Sequence, residues 1–245
     1  MIIVANWKAY VDTTEKAKKL FTSAKRLTQY ADIVLAMPHP YIGMCGGSAK
    51  SKVALAAQDV SISTGGADTG EVTAGTLASL GVSYAIVGHS ERRAKGETDE
   101  MVLEKVKRAL AHNITPILCV GEQERDPDAK YLNTVRAQLS AVFSQLSQKE
   151  RLAVVVAYEP IWAIGKTAAE SIQPVDLEEM VLYIRKVLGE YLPGKSPLKV
   201  RVIYGGSAEP GNARALAGGS GIDGFLVGHA SVDVPTFSAL VRAVS

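Results

Sequence analysis

The chain has 245 residues, 47% hydrophobic and 21% charged, enough to bury a sizeable core as one large α/β domain or two small ones. A formal net charge of +2 gives no electrostatic reason to expect nucleic acid, though a local lysine or helix terminus could still draw a small anion. Cys45 and Cys119 lie far apart without CxxC spacing, the amino terminus lacks a secretory pattern, and no run approaches ~18 apolar residues, so a disulfide framework, a metal site, export and a membrane span are not expected and a reducing cytoplasm is.

Taken in chain order, short β-branched or apolar runs predict strands over residues 2–5, 33–37, 53–57, 84–87, 115–120, 153–157, 200–204 and 224–227. Helical periodicity occupies the intervals. Residues 13–30 place Ala17, Leu20, Phe21, Ala24 and Leu27 on one face and lysines on the other, and the pattern recurs over 101–110 and 177–188. Strands that read as continuous apolar runs are buried on both faces, as parallel strands under helices are. Eight strand-helix units in about 250 residues match one (β/α)8 barrel, so residues 1–245 are expected to form a single α/β domain. The Gly/Ser/Thr-rich stretch 61–70 is too short to separate domains and reads as a projecting loop after the third strand.

In such a barrel, chemistry gathers at the carboxyl ends of the strands. Four apolar runs end in polar groups there: Asn6 and Lys8, His89, Glu159, and Gly205-Gly206-Ser207. Glu159 follows an apolar run and precedes Pro160, so it sits at a strand end, where a partly desolvated carboxylate suits general-base duty; capping the barrel rim is the plainer role. His89 stands where a strand gives way to a helix near Ser90. An imidazole held against helix amide donors stays neutral and donates to a carbonyl, unless it is only structural. Lys8 fits a phosphate or a developing oxyanion, with a salt bridge to Glu91 as the competing account. Gly205-Gly206-Ser207 and Gly228-His229 follow the seventh and eighth strands, where phosphate binds in this architecture, although tight turns need glycine anyway. His39 and His112 lack such context and read as loop or surface residues. The apolar segment 160–168 directly after Glu159 reads as a lid that excludes water, or as a loop packed permanently on the barrel.

Asn6-Trp7-Lys8, Gly88-His89-Ser90-Glu91-Arg92-Arg93, Gly96-Glu97-Thr98-Asp99-Glu100, Cys119-Val120-Gly121-Glu122, Tyr158-Glu159-Pro160-Ile161-Trp162-Ala163-Ile164-Gly165 and Tyr204-Gly205-Gly206-Ser207 resemble, in order and across the whole chain, the motif set of the triosephosphate isomerase family. The resemblance implies a TIM barrel that interconverts dihydroxyacetone phosphate and D-glyceraldehyde 3-phosphate through an enediolate, in glycolysis and gluconeogenesis, as a cytoplasmic homodimer with no cofactor and no metal. It implies Glu159 as the base, His89 as the neutral electrophile, Lys8 and Asn6 as the groups that stabilise the oxyanion and position substrate, and Gly165, Ser207, Gly228 and His229 as the positions whose amides hold phosphate. Several residues depart from the family pattern. Gly165 runs straight into Lys166 where relatives continue Thr-Gly-Lys, with residues gained around 169–173; His229 replaces the usual second glycine; Tyr10 stands where an asparagine is common, and Asp68 where an aromatic is. The last two loops line the dimer interface in relatives. Another sugar-phosphate isomerase or aldolase-like barrel, and a non-catalytic phosphate-ligand binder, are the alternatives.

Overall fold

The computed structural model describes residues 1–45, 51–166, 171–194 and 196–245. Its strands are β1 (Ile2–Asn6), β2 (Asp32–Met37), β3 (Ala54–Ala57), β4 (Val82–Val87), β5 (Thr115–Val120), β6 (Val155–Tyr158), β7 (Val202–Tyr204) and β8 (Gly224–Val227). They pair in sequence order, all parallel, and β1 also pairs with β8 through Ile2 and Gly224, which closes the sheet into a (β/α)8 barrel. Around it lie α1 (Thr14–Leu27), α2 (His39–Cys45), α3 (Ala74–Ser79), α4 (Ser90–Arg93), α5 (Asp99–Ala111), α6 (Tyr131–Phe143), α7 (Gln148–Arg151), α8 (Pro174–Gly189), α9 (Ala213–Gly219) and α10 (Val234–Ala243).

The expected face of α1 is the buried one: Ala17, Leu20, Phe21, Ala24 and Leu27 all pack inward. Burying a leucine or phenylalanine there contributes roughly 1.5–3 kcal/mol, so packing and not propensity holds the helix. Thr13 is its N-cap and not its first helical residue, accepting from the Lys16 N–H at 3.3 Å. Three strands start later than their apolar runs suggest, β3 by one residue and β6 and β7 by two. The amides of Ala153 and Val154 close turns onto Glu150 and Arg151, and that of Val200 onto Pro197, so ladder pairing begins only at Val155 and Val202.

Alternate strand positions divide the core in two. Ile2, Val4, Val34, Ala36, Ala56, Ile86, Ile117, Cys119, Val155, Ala157, Ile203 and Leu226 fill the barrel interior. The intervening residues, such as Ile3, Leu35, Val87, Val120, Val156 and Phe225, pack outward with the helix faces. Cys45 and Cys119 are free and buried. Among the described residues no helix is long and apolar enough to cross a membrane, and no group of three or more His, Cys, Asp or Glu side chains is placed to hold a metal ion. Residues 62 and 64–70 of the loop after β3 are exposed.

Candidate active site

The inward alternation, continued one step past the strand ends, builds the barrel mouth. After Ile2 and Val4 on β1 comes Asn6; after Ala54 and Ala56 on β3 comes Gln58; after Val155 and Ala157 on β6 comes Glu159. The same step reaches Gly121, Gly205 and Gly228 on β5, β7 and β8. Two of these glycines are required by close approach. A Cβ on Gly121 would lie 1.9 Å from the Glu159 carbonyl oxygen, and one on Gly205 would lie 2.7 Å from Glu159 Cγ. On β4 the alternation breaks, because Gly88 has φ 73° and its Cβ position faces Arg93 and Val102 on the outer side; the turned backbone sends His89 to the mouth instead.

Glu159 is 2% exposed. Its Oε2 accepts the Ser90 N–H at 3.1 Å, while Oε1 makes no hydrogen bond and stands 3.3 Å from His89 Nε2. A buried carboxylate with one satisfied oxygen and one open one is a proton acceptor waiting for a partner. His89 caps α4: its Nδ1 accepts the Glu91 N–H at 3.2 Å, which places the ring proton on Nε2, facing the cleft. The helix start expected near Ser90 thus sets the tautomer. The Cys119 thiol lies buried beneath the carboxylate, and burial first, then the Glu159 charge, push it well above the ordinary thiol range.

Lys8 reaches Glu91 at 2.5 Å, so the salt bridge raised as the competing account exists, yet the lysine also lines the cleft. Burial pushes the Glu91 carboxyl up, but the Lys8 hydrogen bond and charge outweigh it and hold Glu91 below its usual range. Lys8 has φ 43°, a left-handed conformation unfavourable for a side-chain-bearing residue. Two bonds stabilise it: the Lys8 N–H donates to Asn6 Oδ1 at 3.1 Å, and Gln58 Nε2 donates to the Lys8 carbonyl at 2.9 Å and to Ala36 at 3.0 Å. No motif in the sequence marks Gln58, and only its position two residues beyond the inward-facing Ala56 of β3 signals that it reaches the barrel mouth.

These groups open onto a cleft of about 290 Å³ lined at its other end by Gly165, Gly206, Ser207, Gly228 and His229. A one-turn 3₁₀ helix, His229–Val232, starts there. The segment 160–168 begins with a second such turn, Ile161–Ala163, pinned by Glu122: its Oε1 accepts from Trp162 Nε1 and from Tyr158 Oη, both at 2.8 Å, and its carbonyl accepts the Ile161 N–H at 2.9 Å. Farther along, the Lys166 N–H donates to Ser207 Oγ at 3.1 Å, tying the segment to the loop after β7. The rest of the lid tip, and residues 169 and 170 of the gained stretch, lie outside the described residues. His39 opens α2 with Nε2 3.1 Å from the Asp59 carbonyl, and His112 is exposed at the end of α5; neither reaches the cleft. A second polar network, also unread in the sequence, lies behind His89: Lys105, 3% exposed, binds Glu97 and, at 2.7 Å, Asp59, which Arg92 also meets at 2.7 Å. Burial raises the Asp59 carboxyl, with Lys105 opposing.

A closed barrel whose carboxyl face unites a buried carboxylate, a helix-capping imidazole and a lysine over a glycine-lined cleft defines a barrel enzyme built for proton transfer on a small anionic molecule. Residues 1–244 match the family described as Triosephosphate isomerase. Curated triosephosphate isomerases of Ralstonia nicotianae, Thermus thermophilus and Roseiflexus castenholzii are 42%, 40% and 37% identical to it, over 99%, 99% and 100% of this chain and 98%, 98% and 97% of theirs. The chain belongs to the triosephosphate isomerase family and is an isomerase.

Proposed function

We propose that this chain, one domain over residues 1–245, interconverts dihydroxyacetone phosphate and D-glyceraldehyde 3-phosphate in glycolysis and gluconeogenesis, without cofactor or metal. Glu159 removes a proton from the carbon bearing the hydroxyl, the electron pair forms the enediolate double bond, and the carbonyl oxygen takes up charge. His89 Nε2–H and Lys8 Nζ face that charge, and Asn6 fixes the substrate beside Lys8. Returning the proton to the neighbouring carbon and moving the hydroxyl proton between the oxygens completes the exchange: one carbon is oxidised, its neighbour reduced, and nothing else is consumed. Amides of Gly165, Ser207, Gly228 and His229 hold the phosphate, the last two at the start of a short helix.

The observation that carries this reading is the open Glu159 Oε1 beside His89 Nε2 in the cleft. A Schiff-base aldolase needs a lysine within the barrel, and none of the described strands carries a lysine. A mere binder has no use for a base so placed. Conversion of D-glyceraldehyde 3-phosphate, followed with glycerol-phosphate dehydrogenase, tests the reading, and Glu159→Gln should lower kcat by at least ~10²-fold in a folded protein. Near-unchanged kcat would remove Glu159 from the role of base.

The assembly is a homodimer in this reading, supported by the exposed polar loop 64–70 and by Met44 and Ile62, large apolar side chains left 39% and 44% exposed. Light scattering that returns the 26.0 kDa monomer mass at micromolar concentrations would reject it. Two free buried thiols fit a reducing cytoplasm.

A further inference from the structure

The loop after β1 and the turn after β8 meet at three points. Ser231 Oγ, which donates to the Gly228 carbonyl at 2.6 Å, lies 3.4 Å from the Asn6 carbonyl oxygen, Lys8 Cε lies 3.6 Å from where a Gly228 Cβ would stand, and the rings of Tyr10 and His229 meet edge to face, centroids 5.5 Å apart and planes at 81°. Both rings are exposed and both line the cleft at the end where Ser207 and Gly228 lie. Tyr10 is itself fixed: its N–H donates to the Trp7 carbonyl at 3.1 Å, its own carbonyl accepts from Lys16 Nζ at 2.7 Å, and Trp7 is buried. A ring on a fixed loop, touching a second ring at the mouth of a cleft, restricts where the imidazole can point.

We propose that the His229 side chain, held over the cleft by the ring of Tyr10, is a determinant of phosphate binding: its imidazolium form attracts the dianion of a phosphate monoester and so adds a pH-dependent charge to the backbone cradle. This rests on the placement of the phosphate end given above. Lys8 of the β1 loop, Lys166 of the lid and Glu209 of the β7 loop face the same cleft. Asp233 at the start of α10 feels both His229 and Lys19 of α1, but its Oδ2 already caps the helix, accepting from the Thr236 N–H at 3.0 Å and hydroxyl at 2.6 Å. Lysine and carboxylate side chains ordinarily titrate outside about pH 6–8 and imidazoles within it; the cleft's other imidazole, His89, is common to the native protein and the variants below. Tyr10 acts through His229 and is a positioning residue.

The test measures binding of glycerol 3-phosphate by calorimetry to the native protein, His229→Gln, Tyr10→Phe and Tyr10→Ser, with turnover of D-glyceraldehyde 3-phosphate on the same preparations. The ligand's second phosphate ionisation, near pH 6, cancels when variant and native Kd are divided. The Kd ratio for His229→Gln should be about 3 at about pH 6 and fall to about 1 near pH 8.5, as imidazole loses its charge. Tyr10→Phe keeps the ring edge and should bind like the native protein at every pH, whereas Tyr10→Ser should follow part of the His229→Gln profile. Proton uptake on binding near pH 7, read from two buffers of different ionisation enthalpy, should be larger in the native protein than in His229→Gln. A ratio that does not change with pH, or equal proton uptake, overturns the inference, since a merely structural role would weaken binding alike at all pH. Native turnover with a flat ratio removes this inference alone; a sloping ratio in a protein without turnover keeps it and removes the isomerase reading.

Discussion

Replacing Gly121 by alanine tests whether the glycine at the end of β5 exists to let the base approach. The added Cβ would sit 1.9 Å from the Glu159 carbonyl oxygen and 2.5 Å from its carbonyl carbon. Ordinary carbon–oxygen contacts lie near 3.3 Å, so the overlap is about 1.4 Å and must be relieved by backbone movement. Neither side yields cheaply: Gln138 brackets Gly121, accepting its N–H at 2.8 Å and donating to its carbonyl at 3.2 Å, while the Glu159 N–H donates to Val120 at 2.8 Å. Overpacking costs typically 1–3 kcal/mol, and a backbone-on-backbone clash belongs at the upper end, about 3 kcal/mol. At about 2–4 °C per kcal/mol for a chain of this size, Tm should fall by roughly 6–12 °C. A base displaced by about 1 Å loses on the order of 10² in kcat. KM should change less, because three of the four amides proposed to hold phosphate, those of Ser207, Gly228 and His229, follow β7 and β8. Thermal unfolding followed by circular dichroism and the coupled isomerase assay read the two effects. A variant with Tm within about 2 °C and kcat within about threefold of the native protein would refute the close-approach reasoning.

Glu91, held below its ordinary value of 4.5 by Lys8, contributes stability that is present above that value and is lost as pH falls through the lowered folded value. Glu91→Gln should therefore flatten the acid limb of a Tm-against-pH curve, and superimposable acid limbs would contradict the pairing. The lid, lacking the usual Thr-Gly after Gly165, should seal the enediolate phosphate less completely, so that some of it breaks its carbon–oxygen bond to phosphate, releases inorganic phosphate and leaves the carbon skeleton as methylglyoxal. Inserting Thr-Gly between Gly165 and Lys166 should lower methylglyoxal formed per turnover; if the native chain already makes no more than the lengthened one, the short lid closes well.

The barrel and much of its mouth were legible in the sequence because they follow from short-range rules. Runs such as Ile33 to Met37 and Thr115 to Val120 can only be buried on both faces, and period-two alternation then fixes that Asn6 and Glu159 point inward where their strands end. His89 was legible for the same reason, since a helix start one residue later dictates what its Nδ1 accepts. Other features depended on distances that no local pattern encodes. The grip of Gln58 on the strained Lys8 backbone, the Lys105–Asp59–Glu97 cluster, and the edge contact between Tyr10 and His229 join residues from different strand-helix units. Each unit could be read alone, but which loops touch is set by barrel closure, when pairing of β1 with β8 brings the first and last loops to the same height. The strand starts shifted for a related reason: pairing begins where a neighbour supplies a partner, so Val155 meets Ile117 and the apolar residues before it are left to turns.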